Sequence, residues 1–251
     1  MTPTARPCRL LLDPPANGAW NMAVDEVLLA TAAESGQPTL RLYAWAEPTL
    51  SLGYFQAYQD RAQHAASRDC SLVRRMTGGG AIVHDRELTY SLCWPAAATL
   101  RRIDFGWLYD LVHETLQESL ATQGIPLQPV GCPAPPSLPP AFLCFQRRGP
   151  HDLVLGAAKI VGSAQRRRQS AVLQHGSILL ETSPAAPEVS GLDPRPGHHH
   201  LAATLRQSWP TLLAQRLDVD LLPARLTDRE TRQASELVRI KYASPAWSHR
   251  R

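Results

Sequence analysis

Apolar positions in residues 21–35, NMAVDEVLLATAAES, recur at helical spacing. Met22, Val24, Val27, Leu28 and Leu29 fall largely on one face and Gly36 follows as a stop, which predicts a helix with Asn21 as its cap. Residues 39–45 (TLRLYAW) and 49–56 (TLSLGYFQ) alternate apolar and polar instead, and Glu47-Pro48 between them predicts two strands around a turn. A short helix follows through AYQDRAQHAASRD. SLVRR, AIVHD and ELTYSLCW then read as strands, the first two separated by the triple glycine 78–80. Residues 104–123 return to the helical period and end at Gly124 and Pro126, so the longest helix is expected there. The run 129–140, PVGCPAPPSLPP, is a loop, because proline removes backbone donors and disfavours helix in the residue before it. HDLVLGAAKIVGSAQ predicts strand, turn, strand, and SAVLQHGSILLE a further strand. The C-terminal part reads as helical, with Thr227 and Glu230 spaced as a capping box before RQASELVRIKY. Helices interspersed among strands without regular alternation predict an α+β fold, and no internal repeat is visible.

Composition narrows the class. The 251 residues are 44% hydrophobic and 19% charged, ordinary for a globular chain, with 22 prolines that mark loops. No run is long and apolar enough to span a membrane, and the apolar stretch in MTPTARPCRLLLDPPANG is too short for a signal peptide, so a cytoplasmic location is expected. Five cysteines, Cys8, Cys70, Cys93, Cys132 and Cys144, show no C-x-x-C spacing, which argues against a disulfide framework or a zinc knuckle. The histidines 198–200 stand too far from other ligands to argue for a metal. The net charge is only +4, but arginines cluster at 74–75, 101–102, 147–148, 166–168 and 250–251. Such clusters suit an acidic partner or a solvated surface; they are scattered, and no nucleic-acid motif accompanies them.

Candidate chemistry sits in four places. RRMTGGGAIVHD (74–85) offers either a tight turn or a ligand site, since glycine allows unusual backbone angles and close approach. It lacks the G-K-[ST] ending of a phosphate-binding loop. His84-Asp85 is either an oriented imidazole or a surface pair at a strand end. Lys159, among small and apolar neighbours, either points into a cleft as a cation for an anionic group or lies outward as an edge-strand charge. His175-Gly176 interrupts an apolar strand, where glycine suggests close approach. Cys144 is the best nucleophile candidate: it follows the proline-rich loop and precedes Arg147, Arg148 and His151, and nearby positive charge favours a thiolate. The competing reading makes it a small buried hydrophobe, as expected of Cys93.

The stretches NMAVDE (21–26), SLGYFQ (51–56), RRMTGGGAIVHDRELTYS (74–91), KIVGSAQRR (159–167), LQHGSILL (173–180) and KYASPAW (241–247), taken in order, resemble the lipoate-protein ligase and octanoyltransferase superfamily. Its members share a catalytic-domain fold with biotin-protein ligases. The resemblance implies mixed, mainly antiparallel sheets with packed helices, in one catalytic domain over 1–251 with the helical segment from about 199 to 251 packed on it. Cys144 preceding Lys159 resembles the cysteine-dependent octanoyltransferases rather than the ATP-dependent ligases. The proline-rich approach to Cys144 departs from the family pattern.

That resemblance implies catalytic roles for Cys144 and Lys159. Cys144 would take octanoate from an acyl carrier protein as a thioester and pass it to a lysine of a lipoyl-domain protein. Lys159 would sit beside the thiol, lower its pKa and help to position the carbonyl. Arg75, Gly78, Gly79, Gly80, Ala81 and His84 would bind the acyl group on one side, and Gly162, Ser163, Ala164, His175 and Gly176 on the other. No cofactor or metal is implied, and neither nucleic acid nor membrane is a partner. The rivals are an ATP-dependent lipoate ligase in which Lys159 faces an adenylate phosphate, an amidotransferase working between lipoyl-domain proteins, and a non-catalytic acyl-binding protein.

Overall fold

The apolar-rich segments ELTYSLCWP and AVLQHGSIL form the centre of the molecule. These segments form β6 (Glu87–Pro95) and β10 (Ala171–Leu179), paired antiparallel from Ala171 opposite Pro95 to Leu179 opposite Glu87. Leu88, Tyr90, Leu92, Val172 and Ile178 point to one face of the sheet, while Cys93, Ala171 and Leu173 point to the other. Successive side chains alternate across a strand, so both faces are apolar and both need cover.

The computed structural model describes residues 5–96, 106–131, 140–168, 170–192 and 199–251. The remaining elements are β1 (Arg6–Leu12), α1 (Gly18–Ser35), β2 (Thr39–Tyr43), β3 (Thr49–Leu52), β4 (Ser71–Arg74), β5 (Ile82–His84), α2 (Gly106–Ala121), β7 (Gln128–Pro129), β8 (Leu153–Leu155), β9 (Ala158–Arg168), α3 (His199–Leu217), β11 (Val219–Pro223), α4 (Asp228–Leu237) and α5 (Pro245–Ser248). Among the described residues the main sheet runs β11-β1-β2-β6-β10-β9-β8-β7, and β4-β3-β5 form a second, small sheet. All neighbours in the main sheet are antiparallel except β1, which lies parallel to both β2 and β11. Helices α2 and α3 cover one face through Leu108, Val112, Leu116, Leu205 and Trp209, and α1 covers the other through Met22, Val24, Leu28 and Leu29. The α+β fold with mainly antiparallel sheets is therefore the one expected.

Several local expectations change. Helix α1 starts earlier: Asn17 is its cap, accepting from the Trp20 amide at 2.9 Å, and Gly36 closes it at φ +72°. Asn21 is instead buried within the helix, where its amide reaches the carbonyls of Ala16 and Ala44. The alternating segments at 39–45 and 49–56 do not pair with each other; β2 enters the main sheet and β3 the small one. The helix expected in 57–69 is two short 3₁₀ turns, Tyr58–Gln63 and Ala65–Ser67. Helix α2, with 16 residues, is shorter than α1 with 18 and α3 with 19. The capping box at Thr227 and Glu230 forms as read, and Glu230 also pairs with Arg9 at 2.6 Å. Cys132, Arg101-Arg102, His198 and most of the proline-rich run lie outside the described residues.

Candidate active site

The triple glycine and the segment before Cys144 run side by side, bridged between Ala81 and Leu143. The Ala81 amide donates to the Phe142 carbonyl at 3.0 Å, and the Cys144 amide donates to the Ala81 carbonyl at 2.7 Å. A Cβ on Gly80 would lie 3.0 Å from both the Cys144 nitrogen and the Phe142 oxygen, so this approach requires glycine. Gly79 has φ +95°, and a Cβ there would stand 3.7 Å from the Cys144 sulfur. Arg75 clamps the loop: its buried guanidinium donates to the carbonyls of Ser51, Gly78 and Gly80 at 2.9, 2.7 and 2.6 Å. Burial lowers its pKa to about 10.

Cys144 opens a 3₁₀ turn, Cys144–Gln146, and is half-buried. Lys159, on β9, points inward at 6% exposure, its Nζ 3.9 Å from Cys144 Sγ and 3.5 Å from the Cys144 carbonyl. It is paired at 2.8 Å with Asp152, itself 7% exposed and accepting from the Gly149 amide at 2.6 Å. The lysine stem folds across Gly162, where a Cβ would fall 2.5 Å from Lys159 Cε. Cys144, Lys159 and Asp152 thus meet although they come from a turn, a strand and the approach to β8. Asp152 was not singled out from the sequence; its signal there is a carboxylate next to the apolar run LVL.

A cleft lined by Cys144 holds about 490 Å³ of empty space when its opening to solvent is included. Gly78, Gly79, His84, Cys144, Gly162, Ser163, Ala164, His175 and Gly176 all line it, with Arg75 at its side. Gly80 and Ala81 hold the Cys144 segment and are not in the lining. Gly176 lies so close to the opposite wall that a Cβ would meet Ser163 Oγ at 2.3 Å and Tyr90 Cε1 at 2.7 Å.

Two buried polar networks surround the cavity. His84 stacks on Trp45 at 3.9 Å and bonds Glu87 through Nδ1 at 2.8 Å, so it is an oriented, buried imidazole rather than a surface pair with Asp85. Burial opposes the Glu87 charge, but His84, Thr89 and Ser177 outweigh it and its carboxyl titrates low; burial pushes the His84 imidazole down. On the other side His175 bridges Asp25 at 3.1 Å and Thr77 at 2.7 Å, and Asp25 pairs with the fully buried Arg41 at 2.9 Å. Burial again opposes the Asp25 charge, and the hydrogen bond from His175 with the charge of Arg41 lowers its pKa overall. Asp25 and Glu87 went unnoticed in the sequence as individual residues, though a carboxylate on the apolar face of 21–35 was a readable signal. Among the described residues no three His, Cys, Asp or Glu side chains gather as a metal site.

His113 from α2 fixes Ser163, with Nε2 2.6 Å from its hydroxyl, while the Tyr90 hydroxyl sits 2.7 Å from the same oxygen. Burial lowers the His113 pKa from 6.5 to about 4. Between those values the unfolded chain binds one more proton than the folded one, so this contribution is complete above pH 6.5 and lost as pH falls towards 4. Its size is about 3 kcal/mol at most. Urea unfolding should accordingly show wild type losing more stability between pH 7 and pH 4.5 than a His113→Gln variant; equal losses would refute the assignment.

Comparison with known proteins places the chain in a family. Residues 17–191 match the lipoyl protein ligase A/B catalytic domain. The octanoyltransferase LipM of Brevibacillus brevis is 32% identical over 93% of this chain and 95% of its own, and that of Kyrpidia tusciae is 31% identical over 97% and 98%. Among solved structures, a lipoate-protein ligase A bound with ATP superposes with a TM-score of 0.77 at 25% identity, covering 96% of this chain and 98% of that one. The chain therefore belongs to the lipoyl protein ligase A/B catalytic-domain family, aligned almost end to end with octanoyltransferases of that family.

Proposed function

We propose that this chain is an octanoyltransferase of lipoate biosynthesis that carries the acyl group on Cys144 as a thioester and delivers it to a lysine of a lipoyl-domain protein. The observation that carries the reading is a half-buried cysteine, 3.9 Å from a buried lysine, in the lining of the cavity. The octanoyltransferase relatives support the overall activity.

In the first half-reaction the Cys144 thiolate attacks the carbonyl of octanoyl-phosphopantetheine on an acyl carrier protein. A C–S bond forms, the pantetheine C–S bond breaks, and the departing thiolate takes up the proton that Cys144 gave up. One thioester replaces another, so no ATP is needed. The Lys159 ammonium, held by Asp152, stabilises the thiolate and the oxygen charge of the tetrahedral intermediate; the Gly79 backbone beside the sulfur is placed to help. In the second half-reaction the acceptor ε-amine attacks, the Cys144 C–S bond breaks, and the proton lost by the amine returns to the sulfur. The product amide is more stable than the thioester, which drives transfer forward.

The test is to mix the protein with octanoyl carrier protein without ATP and weigh it. An octanoyl adduct that hydroxylamine removes is the expected result. The fold likeness to the ATP-bound ligase supports one rival, in which Lys159 faces an adenylate. Transfer that needs ATP and free acid would select that rival and sink the thioester route. Loading only from an octanoylated lipoyl domain would select an amidotransferase.

A further inference from the structure

Two groups of arginines on this protein contrast. Arg168, Arg216, Arg229 and Arg239 each reach a glutamate, at 3.0, 2.8, 3.0 and 2.6 Å. Arg166, Arg250 and Arg251 reach no carboxylate among the described residues and gather instead around Tyr54, 5.2, 4.4 and 5.6 Å from its ring centre. Arg250 donates to the Tyr54 hydroxyl at 3.0 Å and also lies over Trp247 at 4.7 Å. Beside this cluster Phe55 is 65% exposed, the most exposed large apolar side chain among the described residues, with Arg251 5.2 Å from its ring.

The patch is held stiff from beneath. Arg74, fully buried, donates to the carbonyls of Gly53 and Gln56 at 2.8 and 2.7 Å and to that of Ser248 at 2.9 Å, tying the 53–56 loop to α5. Trp247 returns a bond to the Arg74 carbonyl at 2.8 Å. The patch also borders the reaction site: a Cβ on Gly78 would lie 3.8 Å from the Phe55 ring, and Gly78 lines the cavity together with Cys144.

We infer that Tyr54, Phe55, Arg166, Arg250 and Arg251 form the docking surface for an acidic face of the protein domain that presents the acceptor lysine, an inference that rests on the acyl-transfer reading above. An exposed aromatic ringed by preorganised arginines has the anatomy of an interface centre, and the uncompensated positive charge selects a negatively charged partner. Proximity selects the acceptor over the donor. A lysine side chain is short, so its domain must seat against the mouth of the cavity, whereas a carrier's long phosphopantetheine arm lets the carrier body stand farther away.

The test uses the full chain with charge reversal at Arg250→Glu and Arg251→Glu, and separately Phe55→Ser. Loading of Cys144 from octanoyl-pantetheine, which has no protein body, should match wild type in both. The KM for a lipoyl domain with an acidic surface should rise about tenfold or more. The wild-type KM should climb with salt, and the charge-reversed enzyme should lose that dependence. Unchanged acceptor KM overturns the assignment, and so does impairment confined to loading from octanoyl carrier protein, which would give the patch to the donor. If wild type fails to load from any thioester, the acyl-transfer reading fails instead. Direct titration of the acceptor domain against wild type and the two variants then decides the docking surface, with equal affinities overturning it.

Discussion

Cys144→Ser protein should form no hydroxylamine-labile octanoyl adduct and should transfer octanoate about 10³-fold more slowly or worse, the scale expected when a nucleophile is removed. A serine hydroxyl at the same place stays protonated beside Lys159, so the cation 3.9 Å away has no anion to stabilise. The remaining thiols sharpen the experiment. Burial pushes Cys8 up to about 11 and Cys93 well above its ordinary range, and it also raises Cys70, so none offers thiolate near neutral pH. Among these and Cys144, iodoacetamide should label Cys144 first, and octanoylation should protect it. Normal transfer by the serine variant would remove the thioester step from the mechanism.

Lys159→Met should slow loading of Cys144 by about 10²–10³-fold, the usual consequence of losing one electrostatic group at a reacting centre. Methionine keeps much of the stem that crosses Gly162 but brings no charge. The substitution also leaves Asp152 as a buried carboxylate without its cation, and breaking a buried pair from one side costs about 3–5 kcal/mol. Chemistry and stability are therefore mixed in the single variant. Adding Asp152→Asn separates them: the double variant should recover most of the lost stability in urea unfolding while loading stays slow. If loading recovers together with stability, Lys159 acts only by holding the fold.

How far a feature of this protein is legible in its sequence depends on the range of the interactions that form it. The Thr227–Glu230 box joins neighbours three residues apart and was fully legible. The start of α1 was not, since two asparagines stood near it and only packing chose between them: Asn17 faces the helix end, while Asn21 is drawn inside to accept from Arg41 at 2.9 Å. Alternation correctly marked β2 and β3 as strands but carried no information about which sheet each would join. Strands β1 and β11 pair in parallel between residues more than two hundred positions apart, Arg9 opposite Leu222, and no local signal announces such a partner.

At the site, sequence alone determined the order of the glycine, cysteine, lysine and histidine motifs, and with it the resemblance to this family. Residue type also limited the candidates, because the chain has only five cysteines, and its only lysines are Lys159 and Lys241. Tertiary structure decided that Lys159 turns inward, that Asp152 holds it, and that His84 is buried on Glu87 instead of lying at the surface. The physical reason is that burial and hydrogen bonding between distant strands determine where a polar side chain points. Those terms arise only when β5, β9, β10 and the Cys144 turn close around one cavity.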